Sequence, residues 1–259
     1  MLEKMELEDI PVTSRKFPYV GFQPEREIGN FVLTAEKLNS KDDDGNVLLN
    51  DFSITIHPGE KVAFVGMEHN SITSFFDIVS ETKKPESGTY SWGQTTSHSY
   101  MGRDNSAYFN NELTITDWLK QYSPDQDDAY VRGFLGRMLF SGDDGLKKVK
   151  VLSGGEKVRC MLSKMMLSGA NVLILDDPTN HLDLESIESL NEGLVKFPGV
   201  VMFSSHDHEF ISTIANRIIE ITPKGIIDRM MNFDDYLKDD QVKQLRKEYY
   251  AGLNKKIRI

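Results

Sequence analysis

The sequence predicts an α/β domain built on a mixed, mainly parallel sheet. Three observations carry that expectation. Short apolar runs alternate with stretches of helical periodicity, the rhythm of strand–helix crossovers. Val172-Leu173-Ile174-Leu175 is apolar without a break, as expected of a strand covered on both faces in a parallel sheet. Lys61 to Gly66 reads as another buried strand, and it runs through a loop into a helix from Ser71 to Ser80. Strand, loop and helix in that order are the setting of a phosphate-binding loop.

Length and composition narrow the classes. The 259 residues suit one large α/β domain or one domain with appendages. Hydrophobic residues at 39% and charged residues at 27% are ordinary for a globular protein. No apolar run approaches the roughly 20 residues of a membrane span. The N-terminal stretch has no apolar signal region. A single cysteine, Cys160, excludes an intrachain disulfide and a Cys-rich metal site. The expectation is a cytoplasmic protein. A formal charge of −10 argues against a broad polybasic surface for nucleic acid. Local basic groups remain: Lys147, Lys148 and Lys150, which read as solvated surface, and Arg246, Lys247, Lys255, Lys256 and Arg258 near the C-terminus.

Taken in order, residues 1 to about 30 contain Pro11, Pro18 and Pro24, and Arg15 to Tyr19 reads as extended. Phe31–Ala35 and Phe52–Ile56 are strands on either side of an exposed turn at Asp42-Asp43-Asp44-Gly45. From about Asp104 to Lys150 the pattern is helical, with Trp118, Leu119 and Tyr122 on one stripe. Val131, Phe134, Leu135, Met138 and Leu139 form a second.

Ser153 followed by Glu156 is a capping-box pattern. Gly154 and Gly155 allow close backbone approach, and the helix start offers free N–H groups and a positive dipole end, a phosphate site. Val158, Met161, Leu162, Met165 and Met166 form its apolar stripe, read as core packing rather than a ligand set. Gly169 is a stop. The next strand ends in Asp176-Asp177-Pro178. Alone these acids are most often turn residues; at the carboxyl end of a central strand they stand where α/β proteins keep chemistry. Gly199 to His206 is a further buried strand ending in histidine, Arg217 to Asp228 a hairpin, and about Tyr236 to Ile259 a charged helical tail.

Leu152–Arg159 resembles the signature motif of ATP-binding cassette (ABC) proteins, and Leu173–Asp177 resembles their Walker B strand. Pro178-Thr179-Asn180-His181-Leu182-Asp183 is similar to the D-loop in its ABC-F form. The resemblance extends over about Phe31 to Tyr236. It implies an ABC-type P-loop NTPase core with an antiparallel β subdomain and a helical signature subdomain. It also implies ATP and Mg²⁺ as ligands, and head-to-tail pairing with another cassette. Members of the ABC-F family are soluble, translation-linked ATPases with two cassettes, which makes the ribosome or its RNA an expected partner. On this reading residues 1–30 are the end of an inter-cassette linker. Residues 31–235 are the second, C-terminal cassette, with its helical subdomain at about 104–150. Residues 236–259 are a charged tail.

The phosphate-loop pattern G-x-x-x-x-G-K-[ST] is met only in part. Gly66 and Thr73 match; Ser71 replaces the second glycine and Ile72 the lysine, so the Walker A loop is degenerate. A lysine–phosphate hydrogen bond is worth roughly 1.5–3 kcal/mol, so its loss weakens binding by about ten- to a hundredfold or more. A left-handed backbone at Ser71, if the loop required it, would cost roughly 1–2 kcal/mol further. Glu68 adds an anion close by. Ser40 to Asn46 carries no aromatic of the kind that stacks on adenine in the family, and Arg103 stands where these proteins place a glutamine.

The resemblance assigns Thr73 and Asp176 to the metal, Asp177 to the position of the glutamate that orients water, and His206 to the switch histidine. Ser153, Gly154, Gly155 and Glu156 form the intact motif offered to a partner's nucleotide. The expected function is one cassette of a soluble ABC-F type ATPase, with its own site weakened. A transporter's nucleotide-binding subunit and a non-catalytic docking module are the alternatives.

Overall fold

The computed structural model describes residues 17–251. Arg15, Lys16 and the basic residues Lys255, Lys256 and Arg258 lie outside them. The N-terminal half begins with β1 (Leu33–Lys41), β2 (Val47–Ile56) and β3 (Lys61–Val65), followed by α1 (His69–Val79), β4 (Ser87–Trp92) and β5 (His98–Met101). Next come α2 (Ser106–Phe109), α3 (Ile115–Lys120) and α4 (Asp128–Arg137), with two 3₁₀ turns at Gly142–Leu146 and Val149–Val151. Then α5 (Gly154–Leu167) leads to β6 (Val172–Asp176), α6 (Leu184–Lys196), β7 (Val200–Ser204) and α7 (His208–Ile214). The chain closes with β8 (Arg217–Thr222), β9 (Gly225–Arg229), α8 (Phe233–Lys238) and α9 (Asp240–Tyr249).

Two sheets result. β2-β1-β4 is antiparallel, and β5-β6-β7-β3-β8-β9 is parallel except for its last strand. The expected mixed, mainly parallel α/β architecture with an antiparallel β layer is what the chain forms. The large sheet is covered on both faces, and strand alternation divides its residues between two cores. In β6, Leu173 and Leu175 join the core under the helical layer, while Val172 and Ile174 join the core under α1 and the small sheet. Burial on both faces is why these strands are continuously apolar.

The helical stretch at 104–150 is divided rather than continuous. The Thr114 side chain accepts the Asp117 N–H and Asp127 accepts the Tyr130 N–H, so each starts a new short helix. Trp118, Leu119, Val131 and Leu135 point into the main core.

Residues 17–25 lie across several elements. Tyr19 N–H donates to the Arg137 carbonyl at 2.7 Å, and Glu25 N–H to the Gly169 carbonyl at 2.9 Å. Val20 and Phe22 are buried in the main core, with Phe22 edge-on to Phe197 at 6.0 Å. A Cβ at Gly193 would meet the Val20 carbonyl at 2.7 Å, so the arm presses on α6.

At the other end, residue 236 falls inside α8 and its Tyr236 is fully buried. Buried Glu220 on β8 accepts from Tyr236 Oη at 2.5 Å, Arg246 Nε at 2.7 Å and Tyr250 Oη at 2.9 Å. These bonds fasten α8 and α9 to the sheet.

Candidate functional site

The parallel strands bring their carboxyl ends to one edge of the large sheet. β7 lies between β3 and β6, so the loop after β3 and Asp176 at the end of β6 meet across Ser204 at the end of β7. Gly66 opens that loop at φ +156°, and a Cβ there would sit 2.5 Å from the Ile221 carbonyl. Only glycine lets the loop pass β8 so closely.

Beyond Gly66 the chain departs from the expected helix start at Ser71. α1 begins at His69, two residues earlier. Ser71 therefore lies within the helix with ordinary backbone angles, and the left-handed strain considered for it does not arise. Ile72, at the lysine position, is 1% exposed and packs in the core with Phe75 and Phe76. No cationic side chain stands at that position.

The early helix start puts His69 and Thr73 one turn apart on one face. Both reach Asp176. His69 Nε2 is 2.8 Å from Oδ1, Thr73 Oγ1 donates to Oδ2 at 2.6 Å, and Ser204 Oγ donates to Oδ1 at 2.6 Å. Asp176 is 1% exposed. Burial pushes its pKa upward, but the hydrogen bonds from His69, Ser204 and Thr73 outweigh it and hold the carboxyl below its ordinary range. His206 is exposed, its ring 5.4 Å from that of His69. Asp177 follows in a left-handed conformation, φ +55°, and its N–H donates to Ser204 Oγ at 2.9 Å. Thr73, Asp176, Asp177 and His206 are thus gathered around this corner, whereas Arg103 is exposed in the loop after β5.

The second group lies at the start of α5. Ser153 Oγ receives the Glu156 N–H at 3.3 Å, and the Glu156 carboxylate accepts the Ser153 N–H at 2.8 Å, completing the capping box. Burial opposes ionisation of Glu156, yet Ser153 and Lys147 hold its pKa down. The two glycines have a further role. A Cβ at Gly154 would meet the His181 ring at 3.0 Å, and one at Gly155 the His181 carbonyl at 2.8 Å. His181 itself is left-handed at φ +67°. The helix start is therefore packed on the turn after β6 within this chain, while Ser153 and Gly154 stay exposed. Exposed Val151 and Leu184 flank that contact in sequence.

The structure adds His69, Ser204 and the packing role of His181 to the residues of the site. The spacing of His69 and Thr73 marks the first only once the helix is seen to start at residue 69; nothing local marks the other two.

The donor set divides when matched to Mg-ATP. A hydroxyl and a carboxylate, Thr73 and Asp176, are the hard oxygen ligands Mg²⁺ takes. Around them, the residue at the lysine position is a buried isoleucine, and both Asp176 oxygens are bonded to protein donors.

A family model described as ABC transporter matches residues 49–180. An uncharacterized ABC transporter ATP-binding protein, YkpA of Bacillus subtilis, is 55% identical over 253 residues, covering 97% of this chain and 47% of that protein. The energy-dependent translational throttle protein EttA of Escherichia coli K12 is 31% identical over 217 residues, covering 82% of the chain and 39% of EttA. The chain spans less than half the length of these relatives. Among solved structures, cbiO1 from Clostridium perfringens, part of the ABC transporter complex cbiONQ, superposes with a TM-score of 0.59. It shares 18% identity, over 85% of this chain and 96% of that one.

Proposed function

Because the chain belongs to the ABC transporter family of ATP-binding cassettes, we propose that it is one half of a head-to-tail cassette pair. In that pair it completes a nucleotide site on its partner and is weakened at its own. The family implies ATP, with Mg²⁺ as the usual companion. One contrast carries the reading. The Ser153 helix end is exposed, capped and held by its own turn, whereas the loop after β3 is filled by its own side chains. Exposed Val151 and Leu184, next in sequence to the helix end and to the turn it packs on, suit a partner's surface.

On this reading Ser153, Gly154, Gly155 and Glu156 face a nucleotide held by the other cassette. Thr73, Asp176, Asp177 and His206 belong to this chain's own site, with Asp177 orienting water and His206 facing the terminal phosphate. Arg103, exposed in the loop after β5, takes the place of the family's glutamine. The Asn180-His181-Leu182-Asp183 turn and the likeness to EttA support a soluble ABC-F type protein working on the ribosome in the cytoplasm. Among the described residues no helix is long and apolar enough to cross a membrane.

Isothermal titration of the chain with Mg-ATP tests the proposal, with weak or undetectable binding and little turnover expected. Micromolar binding with robust turnover overturns it. The family description and the likeness to cbiO1 favour a second reading, a transporter's nucleotide-binding subunit. Co-sedimentation separates the two: recovery with ribosomes supports the first, recovery with a membrane partner the second.

A further inference from the structure

Asp176 meets its hydrogen-bonding needs from within the chain. Its Oδ1 has His69 Nε2 at 2.8 Å and Ser204 Oγ at 2.6 Å; its Oδ2 has Thr73 Oγ1 at 2.6 Å. An ionised carboxylate only accepts, so His69 presents Nε2–H to it. The imidazole is well held. Its side chain is 13% exposed, α1 starts at this residue, and the His206 ring covers it at 5.4 Å. A Mg²⁺ ion on Asp176 and Thr73 would need carboxylate oxygen at about 2.0–2.1 Å and near-octahedral oxygen ligands around it. The imidazole nitrogen already occupies Oδ1 at 2.8 Å, in competition with such an ion, and is not a ligand Mg²⁺ favours.

We infer that His69 is a built-in occupant of the cation's place, an intramolecular block that keeps divalent metal off Asp176 and Thr73. This rests on the reading that the cassette's own site is weakened, and supplies a second cause for it, separate from the missing lysine. The early helix start is what makes the block. A loop running to residue 71 would leave residue 69 off the helix, whereas a helix from 69 sets it one turn before Thr73. A hydrogen bond to a charged group converts to about ten- to a hundredfold in affinity, which is the handicap a metal meets. The competing idea is that His69 and His206 bind a transition metal themselves. Among the described residues, no three histidine, cysteine or acidic side chains are grouped to hold an ion.

Mn²⁺ alone, titrated by electron paramagnetic resonance, is the test. The wild-type chain should show no Mn²⁺ binding at this corner. His69→Ala should gain one Mn²⁺ at least tenfold tighter, and His69→Ala with Asp176→Asn should lose it. His69→Gln, which keeps most of the bulk and a donor, should bind no better than wild type and guards against a folding defect in the alanine variant. Unchanged Mn²⁺ affinity in a folded His69→Ala chain overturns the inference, as does gained binding that survives Asp176→Asn. So does Zn²⁺ binding by wild type that His69→Ala abolishes. The ATP titration reads the other proposal independently: micromolar Mg-ATP binding by wild type defeats that one, whereas weak ATP binding with no Mn²⁺ gain in His69→Ala defeats only this.

Discussion

The His181 carbonyl lies where a side chain at residue 155 would begin, 2.8 Å from the position of a Cβ on Gly155. Backbone meets backbone, so neither side can yield cheaply. Gly155→Ala should therefore destabilise the protein by roughly 1–3 kcal/mol, as overpacking does. At Gly154 the neighbour is the His181 side chain at 3.0 Å, and the gain in helix propensity offsets part of the crowding. Gly154→Ala should stay within about 0.5 kcal/mol of wild type. Urea denaturation of both variants checks the contrast.

Glu220 is the buried anchor of the C-terminal helices, and Arg246 is its charged partner at 2.7 Å, with 2% and 14% of their side chains exposed. Removing one member of a buried pair leaves the other charge uncompensated, at about 3–5 kcal/mol. Arg246→Met should show that loss in chemical denaturation. Tyr250→Phe removes one bond to Glu220 and should cost about 1–2 kcal/mol in the same denaturation assay.

Stability should rise between pH 8 and about 10. Half-buried Lys61 donates to the carbonyls of Phe197 and Gly199, and desolvation pulls its ammonium down from 10.5 to about 8. Between those values the unfolded chain holds the extra proton, so unfolding becomes harder as pH rises, by at most roughly 1.4 kcal/mol per unit. Burial also pushes the Tyr100, Tyr236 and Tyr250 hydroxyls upward, aided by nearby carboxylates. Above about 10 the unfolded chain loses those protons first, and stability falls. Lys61→Met should flatten the rising limb and leave the falling one, measured as Tm against pH.

Phe22 sits in the main core although, among the described residues, it precedes every strand and helix. Phe22→Ala should cost about 3 kcal/mol. Limited proteolysis should then cut between residues 17 and 30 sooner than in wild type. Unchanged stability and cleavage would show that the arm is a passenger.

Much of the architecture was legible because burial on both faces writes itself as unbroken apolar runs, as at Val62-Ala63-Phe64 and Val172 to Leu175. The α5 cap was legible because Ser153 and Glu156 are local in sequence. β4 was not: Ser87–Trp92 has little buried surface, hence no apolar alternation. α6 carries a readable signal, the Asp183 cap with Ile187, Leu190 and Leu194 following. At the site, the missing lysine was plain in the sequence. The turn of helix that brings His69 to Asp176 was not, because the pattern at Gly66 to Thr73 implies a loop up to residue 71. Ser204 and His181 act through partners 28 and 26 or more residues away, distances no local pattern reports.

Residues 17–25 touch the end of α4 at Arg137, the end of α5 at Met166 and Gly169, and α6 at Gly193. Mechanically, that makes the arm a tie-rod. α5 carries the Ser153 cap at its far end, and α6 follows directly from the His181 turn that the cap rests on. A pull along the arm would load both helices at once, so Ser153 and His181 would shift as one body rather than slide past each other. Tension on this nine-residue arm would thus be converted into displacement of the exposed Ser153 helix end.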